Sequence, residues 1–198
     1  AQDASIKSKP TWENVKFEKL KTKNRAPKTN WTVVVYLSAD SDLFEFAFRD
    51  LEEMAKVGSN QNLSIVVQLD GYGAHEKTKR LYIAQGKIYE VENPFNNVKL
   101  DSGSEQTLID CMKWAIDDYP ANHYALVLWN HGSGVLDPAR GRPFRAANLF
   151  VENPVTGMKE IDRSVSYMEL LERRGICFSD TYGTYITNQG LERALREI

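Results

Sequence analysis

Trp31-Thr-Val-Val-Val-Tyr-Leu37 is an unbroken apolar, β-branched run that stops abruptly at Ser38-Ala39-Asp40-Ser41-Asp42. A strand with one wet face alternates polar and apolar residues, whereas a continuous run marks a strand covered on both faces. Beyond it, Leu43, Phe46, Ala47, Leu51, Met54 and Ala55 recur at helical spacing up to Gly58. The unit then repeats. Leu63-Ser-Ile-Val-Val-Gln-Leu69 is a second covered strand, ended by Asp70-Gly71-Tyr72-Gly73. Residues 80–84 and 87–91 read as a short hairpin about Gln85-Gly86. Asp101-Ser-Gly-Ser104 caps a helix whose stripe is Leu108, Cys111, Met112, Ala115 and Ile116, closed by Tyr119-Pro120. Tyr124-Ala-Leu-Val-Leu-Trp129 is a third covered strand, ended by Asn130-His131-Gly132-Ser133-Gly134. Strand, helix, strand, helix, strand predicts a mostly parallel α/β sheet. Ligands of such sheets bind beyond the carboxyl ends of the strands. Asp40 and Asp42, Asp70, and Asn130 with His131 all fall there.

The 198 residues carry 25 Lys and Arg against 27 Asp and Glu, a formal net charge of −2, with 42% hydrophobic residues. That balance fits one medium globular domain or a large piece of a bigger one. It offers no electrostatic reason to bind nucleic acid or a lipid surface. No apolar stretch approaches the roughly 18 residues of a membrane span. Two cysteines, Cys111 and Cys177, cannot build a disulfide framework or a tetrahedral cysteine metal site. Residues 1–30 are polar and lysine-rich, an expected extended or partly disordered arm before a domain over 31–198. The chain opens Ala1-Gln2-Asp3-Ala4 without an initiator Met, which suggests an exported protein whose leader has been removed.

From Val135 to Arg174 the regular pattern lapses. Loops beyond about 12–15 residues are uncommon in compact domains and are usually functional or mobile. This one carries Arg140, Arg142, Arg145, Arg163, Arg173 and Arg174. Ser166-Tyr-Met-Glu169 has capping-box form and predicts one short helix within it, packed through Met168, Leu170 and Leu171. After Ile176-Cys177-Phe178 and a polar turn at Ser179-Asp180-Thr181, Thr187 predicts the cap of a last helix with Leu191, Ala194, Leu195 and Ile198 on one face. An α/β pattern would then place another strand, so the domain is expected to continue past Ile198.

His131 directly follows a strand and is followed by glycine. That placement puts an imidazole at the rim of the sheet and lets the Gly132 N–H approach a substrate closely. Such a histidine can act as general acid or base; a strand-end histidine that merely satisfies a backbone carbonyl is the structural alternative. His75 and His123 have polar neighbours and read as surface side chains.

Ala125-Leu-Val-Leu-Trp-Asn-His-Gly-Ser-Gly134 closely resembles the catalytic-histidine segment of the clostripain family of cysteine peptidases, relatives of caspases, legumain and gingipains. Ser38-Ala-Asp-Ser-Asp-Leu43, Asp101-Ser-Gly103 and Cys177-Phe-Ser-Asp-Thr181 also look like recurring segments of that family. The resemblance spans about Trp31 to Ile198, leaving out much of the long loop. It implies a caspase-like three-layer α/β sandwich with a mostly parallel sheet, incomplete in this chain. It further implies an endopeptidase that cuts protein or peptide substrates after Arg or Lys. His131 would be the dyad histidine and Gly132 the oxyanion donor. Family members are typically zymogens, clipped after a basic residue in the loop following the histidine strand. By that analogy, Arg145-Ala146 is the first expected cut and Arg174-Gly175 the second. A solvated basic loop with no processing role is the plain alternative.

One part of the family pattern is missing. The family nucleophile follows a further apolar strand in an Asp-Ala-Cys sequence, and these residues contain none. The cysteine is therefore expected beyond Ile198, on a C-terminal remainder or a companion chain. Cys177 is the fallback, since it follows His131 at close to the spacing of about 50 residues found in caspases. Against it stands its backing, a single apolar residue, Ile176, after Arg173-Arg174-Gly175. Cys111, on the apolar stripe of a helix, reads as core. Asp40, Ser41 or Asp42 is expected to cap the next helix, a contribution of roughly 0.5–2 kcal/mol, and Asp70 either shapes its turn or faces the substrate groove. Calcium dependence occurs in the family, but nothing here matches an EF-hand loop, so no residue is expected to bind metal and no cofactor is required. The expected function is a secreted, periplasmic or cell-surface clostripain-like endopeptidase. A catalytically inactive α/β scaffold or binding subunit is the alternative.

Overall fold

The computed structural model describes residues 17–20, 25–92, 95, 98–132, 150–161 and 175–198. The main sheet has six strands: β1 (Glu18–Leu20), β2 (Thr29–Ser38), β3 (Leu63–Asp70), β4 (Lys79–Ala84), β5 (Lys87–Val91) and β6 (Ala121–Trp129). Their order across the sheet is β1-β5-β4-β3-β2-β6. β2 runs parallel to both β3 and β6, and β5 parallel to β1; β4 alone is antiparallel to its neighbours. Five of the six strands therefore point one way, and the mostly parallel sheet is as expected.

Each face of the sheet is covered. Side chains of successive strand residues point to opposite faces, so Val34, Tyr36 and Val66 pack on one side with Leu108, Cys111, Met112 and Ala115 of α2 (Glu105–Asp118) and Ala194 of α3 (Asn188–Glu197). Val35, Leu37, Val67 and Leu69 pack on the other with Ala47, Leu51 and Ala55 of α1 (Phe44–Val57). The result is a three-layer α/β sandwich. Gly58 ends α1 at φ +67, where a Cβ would fall 2.1 Å from the Gln85 backbone nitrogen. Only glycine allows the helix end to sit on the β4–β5 turn in this way.

Three expectations change. Among the described residues β6, expected to be covered, is the edge of the sheet with β2 as its one neighbour, and Val127 is 43% exposed. Glu18–Leu20 of the polar N-terminal arm adds to the sheet against β5. The long loop contains a hairpin of β7 (Phe150–Glu152) and β8 (Lys159–Ile161). The N-cap of α1 is Leu43, without a side-chain cap; the Ser41 hydroxyl accepts from the Leu43 N–H and its carbonyl from the Phe44 N–H, and both aspartates are engaged elsewhere. Thr187 does cap α3, accepting from the Gly190 N–H at 2.9 Å. The expected helix at 166–171 lies outside the described residues, as do Arg140, Arg142, Arg145, Ala146, Arg163, Arg173 and Arg174. Among the described residues no helix is long and apolar enough to cross a membrane.

Candidate active site

Parallel pairing of β3, β2 and β6 brings their carboxyl ends to one rim, with Ser38 opposite Asp70 and Leu37 opposite Trp129. The three polar clusters that the sequence placed after separate strands thereby become neighbours. Asn130 joins them: its side-chain amide donates to the Ser38 carbonyl and, at 3.0 Å, to the Phe178 carbonyl, while its Oδ1 accepts from the Phe178 N–H at 3.2 Å. Phe178 lies in β9 (Ile176–Ser179), which pairs with β10 (Thr184–Ile186).

His131 is 6% exposed, and its Nε2 lies 2.7 Å from Asp42 Oδ1. Lys159 of β8 approaches the other oxygen of the same carboxylate at 2.8 Å. Burial alone would raise the Asp42 carboxyl, but hydrogen bonds from His131 and Lys159, with their charges, outweigh it and hold it below the usual carboxylate range. A strand-end histidine on a backbone carbonyl was the alternative expectation; Nε2 meets a carboxylate. Gly132 forms a bridge with Ile176, is exposed, and faces open space where a side chain would sit.

Asp40, 0% exposed, takes a different part. It accepts from the Gly73 N–H at 3.0 Å, the Thr181 N–H at 3.0 Å, the Ser179 hydroxyl at 2.7 Å and the Thr181 hydroxyl at 2.8 Å. Lys99 Nζ stands 3.6 Å from it and 2.8 Å from Asp70. Burial works against its charge, yet these donors and Lys99 keep Asp40 below its ordinary value. Asp70 goes the other way, up to about 6, because burial outweighs Lys99 and the Ser102 hydroxyl. This aspartate is a buried ion-pair partner, neither free turn chemistry nor a group open to a groove.

Neither cysteine offers a thiolate. Cys111 and Cys177 are both fully buried. Burial pushes the Cys111 thiol up to about 12, and raises Cys177 further still. A nucleophilic cysteine needs an electropositive, partly exposed setting, so Cys177 is a core residue like Cys111, not a substitute nucleophile. Among the described residues no group of three or more His, Cys, Asp or Glu side chains is arranged to hold a metal ion.

Residues 35–147, from within β2 to beyond His131, match the Clostripain family. The chain belongs to that family of cysteine peptidases. Clostripain from Hathewaya histolytica is 28% identical over 145 residues, covering 63% of this chain and 27% of its own length. The chain thus spans about a quarter of that relative. A B. fragilis cysteine protease is 28% identical, with 57% of this chain and 98% of that one covered at a TM-score of 0.47. An inactive zymogen C11 protease from Parabacteroides distasonis is 25% identical, covering 56% and 33% of the two chains at a TM-score of 0.45. A secreted C11 cysteine protease from Bacteroides thetaiotaomicron, solved with an irreversible peptide inhibitor, is 22% identical, covering 59% and 33% at a TM-score of 0.46. The clostripain match runs through Asn130, His131 and Gly132. Sequence reading placed His131 at the rim but missed Lys159, whose only signal was its position just after a turn.

Proposed function

We propose that this chain is the histidine-bearing part of a secreted clostripain-like endopeptidase that cleaves after Arg or Lys. The observation that carries the reading is His131 just past the end of β6, held on Asp42, with the exposed Gly132 beside it. In this chemistry a cysteine thiolate attacks the scissile carbonyl, the Gly132 N–H donates to the developing oxyanion, and His131 protonates the leaving amine. Water then hydrolyses the acyl-enzyme. The thiolate comes from polypeptide outside these 198 residues, on a C-terminal remainder or a companion chain. The apolar, half-exposed edge of β6 supports this, since a strand added parallel to it would end beside His131. Activation proceeds by cleavage at Arg145-Ala146, with Arg174-Gly175 as second choice.

A specific observation favours a second reading. Both cysteines of these residues are core, as expected of an inactive α/β scaffold or binding subunit. The full-length protein decides between them when incubated with arginyl, lysyl and neutral peptide amides, before and after thiol alkylation. Hydrolysis confined to the basic substrates, abolished by alkylation and reduced at least about 100-fold by His131→Ala, supports the peptidase. Absence of hydrolysis in intact and processed protein alike supports the scaffold.

A further inference from the structure

Resting on the peptidase reading, the geometry points to Asp42 and Lys159 as positioning residues for His131: Asp42 fixes which ring nitrogen carries the hydrogen, and Lys159 fixes Asp42. An ionised carboxylate can only accept, so the 2.7 Å contact from Nε2 to Asp42 Oδ1 places the hydrogen on Nε2. In the neutral ring Nδ1 is then the nitrogen without a hydrogen. A histidine bound through one nitrogen to an acidic partner is held in both tautomer and ring orientation.

Lys159 binds the second oxygen of the same carboxylate at 2.8 Å, so the two contacts coexist and do not compete. All three side chains are shielded, at 5% exposure for His131, 19% for Asp42 and 18% for Lys159. Shielding strengthens each contact relative to a surface ion pair. The Lys159 ammonium also keeps the carboxylate ionised and stops it from turning its hydrogen-bonding edge away. Asp42 belongs to the β2–α1 loop and Lys159 to a hairpin outside the main sheet, so the histidine is set by segments far apart in sequence. The neighbouring Asp40–Lys99–Asp70 cluster is internally paired, and its charges are spent on its own loops.

The test uses the full-length protein labelled with 15N-histidine, the His131 signal being assigned with His131→Gln. In the neutral ring, wild type is expected to show the Nε2–H pattern of ring-nitrogen shifts. Asp42→Asn and Asp42→Ala are expected to mix or reverse that pattern and to lower kcat about 10- to 100-fold, with KM changed less than about twofold. Lys159→Met is expected to give a partial form of the same change, and Lys159→Arg to restore it. Should Asp42→Ala fail to fold, Asp42→Asn and Lys159→Met carry the test. An unchanged nitrogen pattern with wild-type kcat in Asp42→Asn overturns the inference, whatever the protein hydrolyses. A shifted pattern in a protein that hydrolyses no basic amide sustains the positioning of His131 and removes the peptidase reading instead.

Discussion

Asp70 should make the fold more stable as the pH falls from neutral towards mildly acid, the opposite of ordinary acid denaturation. Its carboxyl is 3% exposed and reaches a pKa of about 6 against an ordinary value of 3.8. Between those values the folded protein binds a proton that the unfolded chain does not. Stability therefore rises as the proton binds and is lost as pH climbs through about 6. The shift corresponds to roughly 3 kcal/mol in full, of which about 2 kcal/mol falls between about pH 7.5 and pH 4.5. The buried Oδ2, which makes no hydrogen bond of normal geometry among the described residues, is the physical source of the penalty. Asp40 and Asp42 act in the other sense, because their depressed values mean that stability is lost as pH falls below the ordinary carboxylate range. The experiment stays above about pH 4.5 to keep the effects apart. Denaturant unfolding of the wild type and of Asp70→Asn, which keeps the shape and removes the titration, is compared across that range. The wild type should gain about 2 kcal/mol on the variant as pH falls. A difference that is flat, or that grows with rising pH, would refute the account of Asp70 as a carboxylate held charged at a cost.

Alkylation by iodoacetamide, followed by mass spectrometry, should leave Cys111 and Cys177 unmodified in the native protein and modify both on unfolding. Asp40→Ala should cost about 3–5 kcal/mol by denaturant unfolding, since Lys99 loses part of its neutralisation and four donors lose their acceptor. Gly58→Ala should cost about 2–4 kcal/mol, from a left-handed φ of +67 combined with backbone at 2.1 Å. Gly86→Ala, at φ +73 with nothing within 4 Å, should show the strain alone, about 1–2 kcal/mol. Equal losses at the two glycines would mean that the close contact of α1 with the β4–β5 turn contributes nothing.

The central strands were legible because a chain keeps a mostly apolar, β-branched run only where both faces are covered, and β2 and β3 meet that condition over most of their length. The same signal misplaced β6. Apolarity reports that a surface avoids water and says nothing of which neighbour covers it, so an edge strand and a central one read alike. The acidic residues after β2 failed for a different reason. Local spacing offers Asp40 or Asp42 a helix cap worth about 1 kcal/mol, but a carboxylate at 0% exposure needs every donor it can collect. Those donors come from Gly73, Ser179 and Thr181, the last two about 140 residues away. No window along the sequence contains that competition.

The hairpin that carries Lys159 was nearer to being readable. Asn153 accepts from the Val155 and Thr156 N–H groups, Pro154 follows it, and Gly157 takes φ +66, which together form turn chemistry that sequence alone displays. A turn at 153–157 implies strands on either side, and strand alternation then sends residues 159 and 160 to opposite faces. Where one face of such a hairpin packs on the domain, one of that pair turns inward, and a lysine that does so is as a rule paired with a carboxylate. His131 sits on the same carboxylate, so the β7–β8 hairpin and the most recognisable motif of the chain converge on Asp42.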